Sequence, residues 1–282
     1  MNSGIWVEGK SETCLPAGRS ELMFFLINYR KRDKMRTANP ALNSKTFTSM
    51  PRVADPSQVM TIQGTVNKTF LMLILVLIPA AYTWNMFLST GNSAAVMPWL
   101  YGGFIGGFIV AIITVFKKQW SPFTAPLYSV LEGLALGGLS ALFEARFPGI
   151  VIQAVALTFG TLFCLLAAYK SGMIKATENF KLGVMAATGG IGLIYVATML
   201  LGFFGIRIPY IHESGLIGIG FSMFVVVIAA LNLVLDFDFI EHGAEAGAPR
   251  FMEWYAAFGL IVTLIWLYLE ILRLLSKLRS RR

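Results

Sequence analysis

From Thr69 onward the chain alternates between long apolar runs and short polar interruptions. Seven runs stand out, at about residues 69–89, 97–116, 124–143, 150–169, 182–204, 215–240 and 252–276. Each is close to the roughly 20 residues a helix needs to cross the hydrocarbon core of a bilayer. The pattern predicts an all-α integral membrane protein with seven transmembrane helices. The interruptions are short, so consecutive helices are expected to be neighbours. Residues 1–67 are polar, with scattered proline and a basic cluster from Arg30 to Arg36. They are expected to be a tail without a packed core. The apolar stretch Leu22–Ile27 is too short to span and lacks a signal-peptide cleavage site. Met35 is a second plausible start, which would make residues 1–34 an upstream extension. The expected organisation is a tail over 1–67, a seven-helix domain over 68–278, and a basic end over 279–282.

Composition agrees with the pattern. Of 282 residues, 56% are hydrophobic and 13% charged; soluble domains carry roughly 25% charged residues. Mean hydropathy is +0.68. The net charge of +8 resides in the two ends, with ten Lys/Arg against five Asp/Glu in residues 1–68 and five against none after Glu270. Basic segments beside apolar spans orient helices or meet anionic lipid, and no basic, aromatic-interleaved fold suggests nucleic acid. The tail, Lys117-Lys118 and the Lys170/Lys175/Lys181 loop fall on one side of an alternating bundle. That side is expected to be the cytoplasm, in the inner membrane of a cell. Seven crossings carry the basic C-terminus to the opposite side, against the usual bias. A full final crossing is nevertheless expected.

Cys14 and Cys164 lie in unlike settings, so no disulfide framework is expected. With only two histidines there is no Cys/His cluster of metal-ligand spacing. No phosphate-binding glycine loop or nucleophile–base pair is apparent, so neither an enzyme nor a resident cofactor is expected. Gly102, Gly103, Gly106 and Gly107 form overlapping small-xxx-small pairs in the second helix, as do Gly133 and Gly137 in the third. Small residues let membrane helices approach closely, so these positions predict tight packing.

Acids inside the spans carry the functional question. A charge at the bilayer centre costs about 2.5–3.5 kcal/mol on insertion scales. Glu132 lies mid-run in the third helix, as a protonated hydrogen-bonding group or the lining of a polar path. Asp236 and Asp238 end the sixth run; two residues apart on a helix, they point about 200° away from each other. One is expected to face the bundle and the other the helix end or the interface. Glu241, His242 and Glu245 read as solvated. Glu253 begins the seventh run, where a carboxylate complements the helix N-terminus. Glu270 lies deep in that run with Arg273 three residues on, which suits an intrahelical ion pair. A competing arrangement brings Glu270 against Asp236. Two close carboxylates share a proton and titrate as a unit, and when ionised they are hard oxygen ligands suited to Ca²⁺.

The order of three segments resembles the Bax inhibitor-1 (transmembrane BAX inhibitor motif) family. They are Leu131-Glu-Gly-Leu-Ala-Leu-Gly in the third run, Asp236, Ile240 and His242 ending the sixth, and Leu267-Tyr-Leu-Glu270-Ile-Leu-Arg273 in the seventh. The resemblance covers about residues 65–278. It implies a seven-helix fold with the seventh helix central, and a pH-sensitive Ca²⁺ leak gated by Asp236 and Glu270, with Ca²⁺ as a transient ligand. Asp238, Glu132 and Glu253 are the secondary candidates. The chain departs from the family pattern in carrying Glu270 where Asp is usual, in its longer Gly243–Arg250 loop, and in having no Arg in the second helix. At 1.5 Å per residue, Glu270 lies about 27 Å along a helix starting at Met252, and Asp236 about 6 Å from a helix end at Ile240. The two acids meet only if the sixth helix runs on or the seventh starts later. Otherwise Glu253 is the better partner for Asp236 or Asp238, and Glu270 belongs to Arg273. The alternative function is a non-conducting regulator that binds a membrane protease or another membrane protein, to which the long basic tail is suited.

Overall fold

The computed structural model describes residues 58–205 and 215–281. The expected tail over 1–57, the second start at Met35 and the loop at Arg207 lie outside the described residues. Among the described residues seven long helices follow one another: α1 (Ile62–Thr90), α2 (Ser93–Phe116), α3 (Ser121–Arg146), α4 (Ile150–Lys170), α5 (Glu178–Phe203), α6 (Leu216–Glu245) and α7 (Met252–Ser280). A single 3₁₀ turn, Lys118–Trp120, joins α2 to α3. All seven are long and apolar enough to span a membrane, so this is a multi-pass membrane protein.

The helix ends follow local chemistry. Thr61 caps α1, its hydroxyl accepting from the Gly64 N–H at 2.9 Å. The helix thus starts seven residues before the apolar run does, and Ile62–Asn67, assigned above to the tail, are helical. Thr177 caps α5 in the same way. Glu144 caps α4 from the preceding helix, accepting from the N–H groups of Gly149 and Val151. Gly91 closes α1 at φ 60°, a left-handed value that glycine adopts without strain. Buried hydroxyls within the bundle bond back into their own helices: Thr65, Thr69, Thr114, Thr158 and Thr263 each donate to the carbonyl four residues earlier. That satisfies them where no water reaches.

α7 is the centre of the bundle. It packs against α1, α3, α4 and α6, and 61% of its most apolar window is buried, against 11% for α5. It runs the full depth, since Lys277 at its far end reaches the first turn of α6 and Arg279 reaches Pro148 at the α3–α4 turn. The glycine pairs of α2 and α3 mark close helix approaches. A Cβ on Gly103 would lie 2.5 Å from the Leu131 carbonyl oxygen, one on Gly133 2.3 Å from that of Val76, and one on Gly137 2.1 Å from that of Ala80. These three glycines set how near α2 and α1 come to α3. By contrast, Gly189 and Gly192 on α5 and Gly220 on α6 face open space.

Candidate functional site

Three residues of α5 stand seven apart: Lys181, Thr188 and Tyr195. On a helix that spacing puts them on one face, about two turns from one another, and each engages the α6–α7 core. Lys181 pairs with Asp238 at 2.7 Å, with both side chains nearly enclosed. Thr188 accepts from the Asn232 amide at 2.8 Å. Tyr195 donates to Glu270 at 2.9 Å and accepts from Arg273 at 2.8 Å. The outermost helix is thus held to the core by a polar seam. Sequence reasoning treated Lys181 as an orientation signal and missed Thr188 and Tyr195; the seven-residue repeat was the signal that could have found them.

The sequence-predicted acids fall into five settings. Asp236 is completely enclosed, at 0% exposure. Asp238 reaches neither the helix end nor the interface. α6 continues to Glu245, which leaves Asp238 buried between Lys181 and His242. Neighbouring Glu241 accepts from the Tyr169 hydroxyl on α4 and is part of the packing rather than a loop charge. Glu253 is 2% exposed and does more than complement its own helix. It accepts from the Thr61 N–H and hydroxyl, both at 2.9 Å, and pairs with Lys68, stapling the start of α1 to the start of α7. Glu132 is turned toward α2, where the missing side chain of Gly107 leaves room; a Cβ there would lie 2.7 Å from its Oε2.

Glu270 is engaged by partners other than an acid. Its carboxylate is held by Arg273 at 2.8 and 3.0 Å and by Tyr195. The reason is register. α6 does run past Ile240, but its end at Glu245 puts Asp236 only about 14 Å into the bundle, while Glu270 lies about 27 Å from Met252. Counting from the other end, where Lys277 touches Ser222 at 2.9 Å, leaves the two acids about 10 Å apart in depth. By this register Asp236 and Glu270 stand at different depths along α6 and α7. Among the described residues, no three His, Cys, Asp or Glu side chains converge as a metal cage.

The basic residues at the far end of α7, which ran against the orientation bias, are largely engaged. Arg273 is on Glu270, Lys277 donates to the Gly218 carbonyl and Ser222, and Arg279 donates to the Pro148 carbonyl and Gln153. At the other end, the chain entering α1 is strapped to the α6–α7 turn. Met60 N–H donates to Ala248 and Arg250 N–H to Gln58, around a Val59–Pro249 bridge.

Comparison with known proteins agrees with this architecture. A family model described as Bax inhibitor 1 like matches residues 30–280. No curated protein matches the chain.

Proposed function

The chain belongs to the Bax inhibitor-1 family, and from that premise we propose that it is a cation leak pathway, with Ca²⁺ as the permeating ion, in its closed state. The supporting observation is the seam itself: Asp238, Asp236 and Glu270 stand at successive depths along α6 and α7. The two outer acids take part in the contacts that hold α5 over that seam. Asp236 is the attracting carboxylate, and the Lys181–Asp238 and Arg273–Glu270–Tyr195 contacts are the latches. The tail and the Lys117-Lys118 loop face the cytoplasm of a bacterial-type inner membrane.

The latches give the pathway a pH response with a definite sign. Both are charge-assisted contacts, and charge-assisted bonds are roughly twice as strong as neutral ones. Loss of the Asp238 carboxylate charge in acid removes its ion pair with Lys181 and loosens α5, so flux rises as pH falls. The test is Ca²⁺ efflux from proteoliposomes at acidic and neutral pH. Asp238→Asn and Glu270→Gln should leak at neutral pH and lose most of the acid increment. Asp236→Asn should cut flux about tenfold, equivalent to about 1.4 kcal/mol. Efflux indistinguishable from wild type in Asp236→Asn would sink the mechanism.

A non-conducting regulator of a membrane protease or other membrane protein is favoured by one observation. The strap joins Gln58–Met60, just beyond the basic tail, to the α6–α7 turn, so a partner held by the tail would pull directly on α6 and α7. Removing residues 1–57 should then abolish partner binding, and no variant of the seam would conduct.

A further inference from the structure

At the end of the bundle where α3 and α7 finish, a cavity of about 590 Å³ opens between them. Arg146, Arg273 and Lys277 line it with the hydroxyl-bearing Ser276, and Leu142 and Phe143 form its apolar wall. The three cations have different neighbours. Arg273 is 41% exposed on its solvent side while Glu270 holds the other. Lys277 is buried, its Nζ 3.1 Å from the Gly218 carbonyl oxygen and 2.9 Å from the Ser222 hydroxyl. Arg146 is exposed, its guanidinium 5.7 Å from the centre of the Phe147 ring, and it pairs with no acid among the described residues. The nearest candidate, Glu144, is turned away to cap α4.

From this juxtaposition we infer that the cavity is a binding site for the phosphate of an anionic phospholipid. Arginine suits the phosphate chemically, because its planar fork donates two parallel bonds to phosphate oxygens. The volume falls within the roughly 300–1,000 Å³ typical of small-ligand sites. The position selects the lipid over free phosphate. The cavity lies on the last turns of two membrane-spanning helices; basic pockets between helices on the cytoplasmic side hold anionic headgroups, and here the same chemistry stands at the opposite end of the bundle. Leu139, a turn before Leu142 and Phe143 on α3, extends the apolar side of the lining, and against it an acyl chain gains by burial while an inorganic ion gains nothing. Because Arg273 also holds Glu270, an occupied pocket competes for that guanidinium. The site itself stands whether or not the chain conducts.

The experiment is native mass spectrometry of the full-length chain in detergent, titrated with phosphatidylglycerol, phosphatidylcholine and inorganic phosphate. Phosphatidylglycerol should be retained about tenfold more tightly than phosphatidylcholine. Arg146→Gln should remove that preference and Arg146→Lys restore part of it. Arg146 is exposed, so both variants should fold, and unchanged thermal melting checks that they do. Equal retention of the two lipids, or a preference unaltered by Arg146→Gln, would overturn the site. Saturable binding of inorganic phosphate with no lipid preference would overturn the lipid assignment.

Discussion

Glycine positions give the most direct residue-scale test of the packing. A methyl group at Gly137 would lie 2.1 Å from the Ala80 carbonyl oxygen and 2.2 Å from the Thr83 hydroxyl. Backbone cannot yield as a side-chain tip can, so Gly137→Ala should destabilise by about 1–3 kcal/mol, as overpacking does. Gly189→Ala, facing open space, should melt with the wild type. Thermal unfolding of the two variants in one detergent checks both, and equal melting would mean that α1 and α3 are not in the close contact described. The spacing of Gly133 and Gly137 made that contact legible in the sequence. The direction each glycine faced was not legible, because α2 and α5 are similarly glycine-rich and only α2 presses its glycines against a neighbour. The acids followed the same rule. That Asp236 and Asp238 would part company was readable from the helical period. That Asp238 would find Lys181, and Glu253 the start of α1, depends on partners 57 and 192 residues away, which no local pattern encodes.

Among the helices, α5 differs from the rest. The others are held by apolar interdigitation or close glycine contacts, whereas α5 has little burial and adds a polar ladder to one small apolar cluster around Ile191, Val225 and Ile228. Hydrogen bonds between membrane helices average about 0.6 kcal/mol in measured cases, so a few such rungs make a latch that opens readily. Locking it should therefore stop any flux. With Cys14 and Cys164 replaced by serine, Thr188→Cys and Asn232→Cys joined by a short thiol crosslinker should suppress acid-stimulated efflux to the level of empty liposomes. Crosslinked protein that leaks as before would show that α5 does not move. Helix existence was readable throughout from apolar length. Helix ends were not, since α1 begins on a threonine cap inside a polar stretch and α6 ends on a turn pinned by the chain entering α1. Those ends decide the register of α6 against α7, and hence which acids stand at the same depth.

At the scale of the whole molecule, seven full crossings would put Ile62 and Ser280 on opposite sides of the membrane. A single cysteine added after Arg282 should react with an impermeant maleimide from the face opposite the Lys117-Lys118 loop. Labelling from the same face as that loop would mean that α7 turns back. The number of spans and the central place of the seventh could be expected from the sequence and its resemblance to a family. What the basic residues at the end of α7 would touch could not. The structure answers with neighbours, because Arg273, Lys277 and Arg279 are engaged by a carboxylate, a helix carbonyl and a turn carbonyl.

The centrality of α7 also sets an order of assembly. Of the seven helices it is synthesised last, yet α1, α3, α4 and α6 all pack on it. Before it arrives, α1 and α2 can already pack on α3, whereas Lys68 has its acid 185 residues downstream. Contacts of such long sequence separation form late and slowly. The α7 contacts with α1, α3, α4 and α6 are therefore the last that synthesis makes available, and they complete a bundle whose α1–α3 part can pack beforehand.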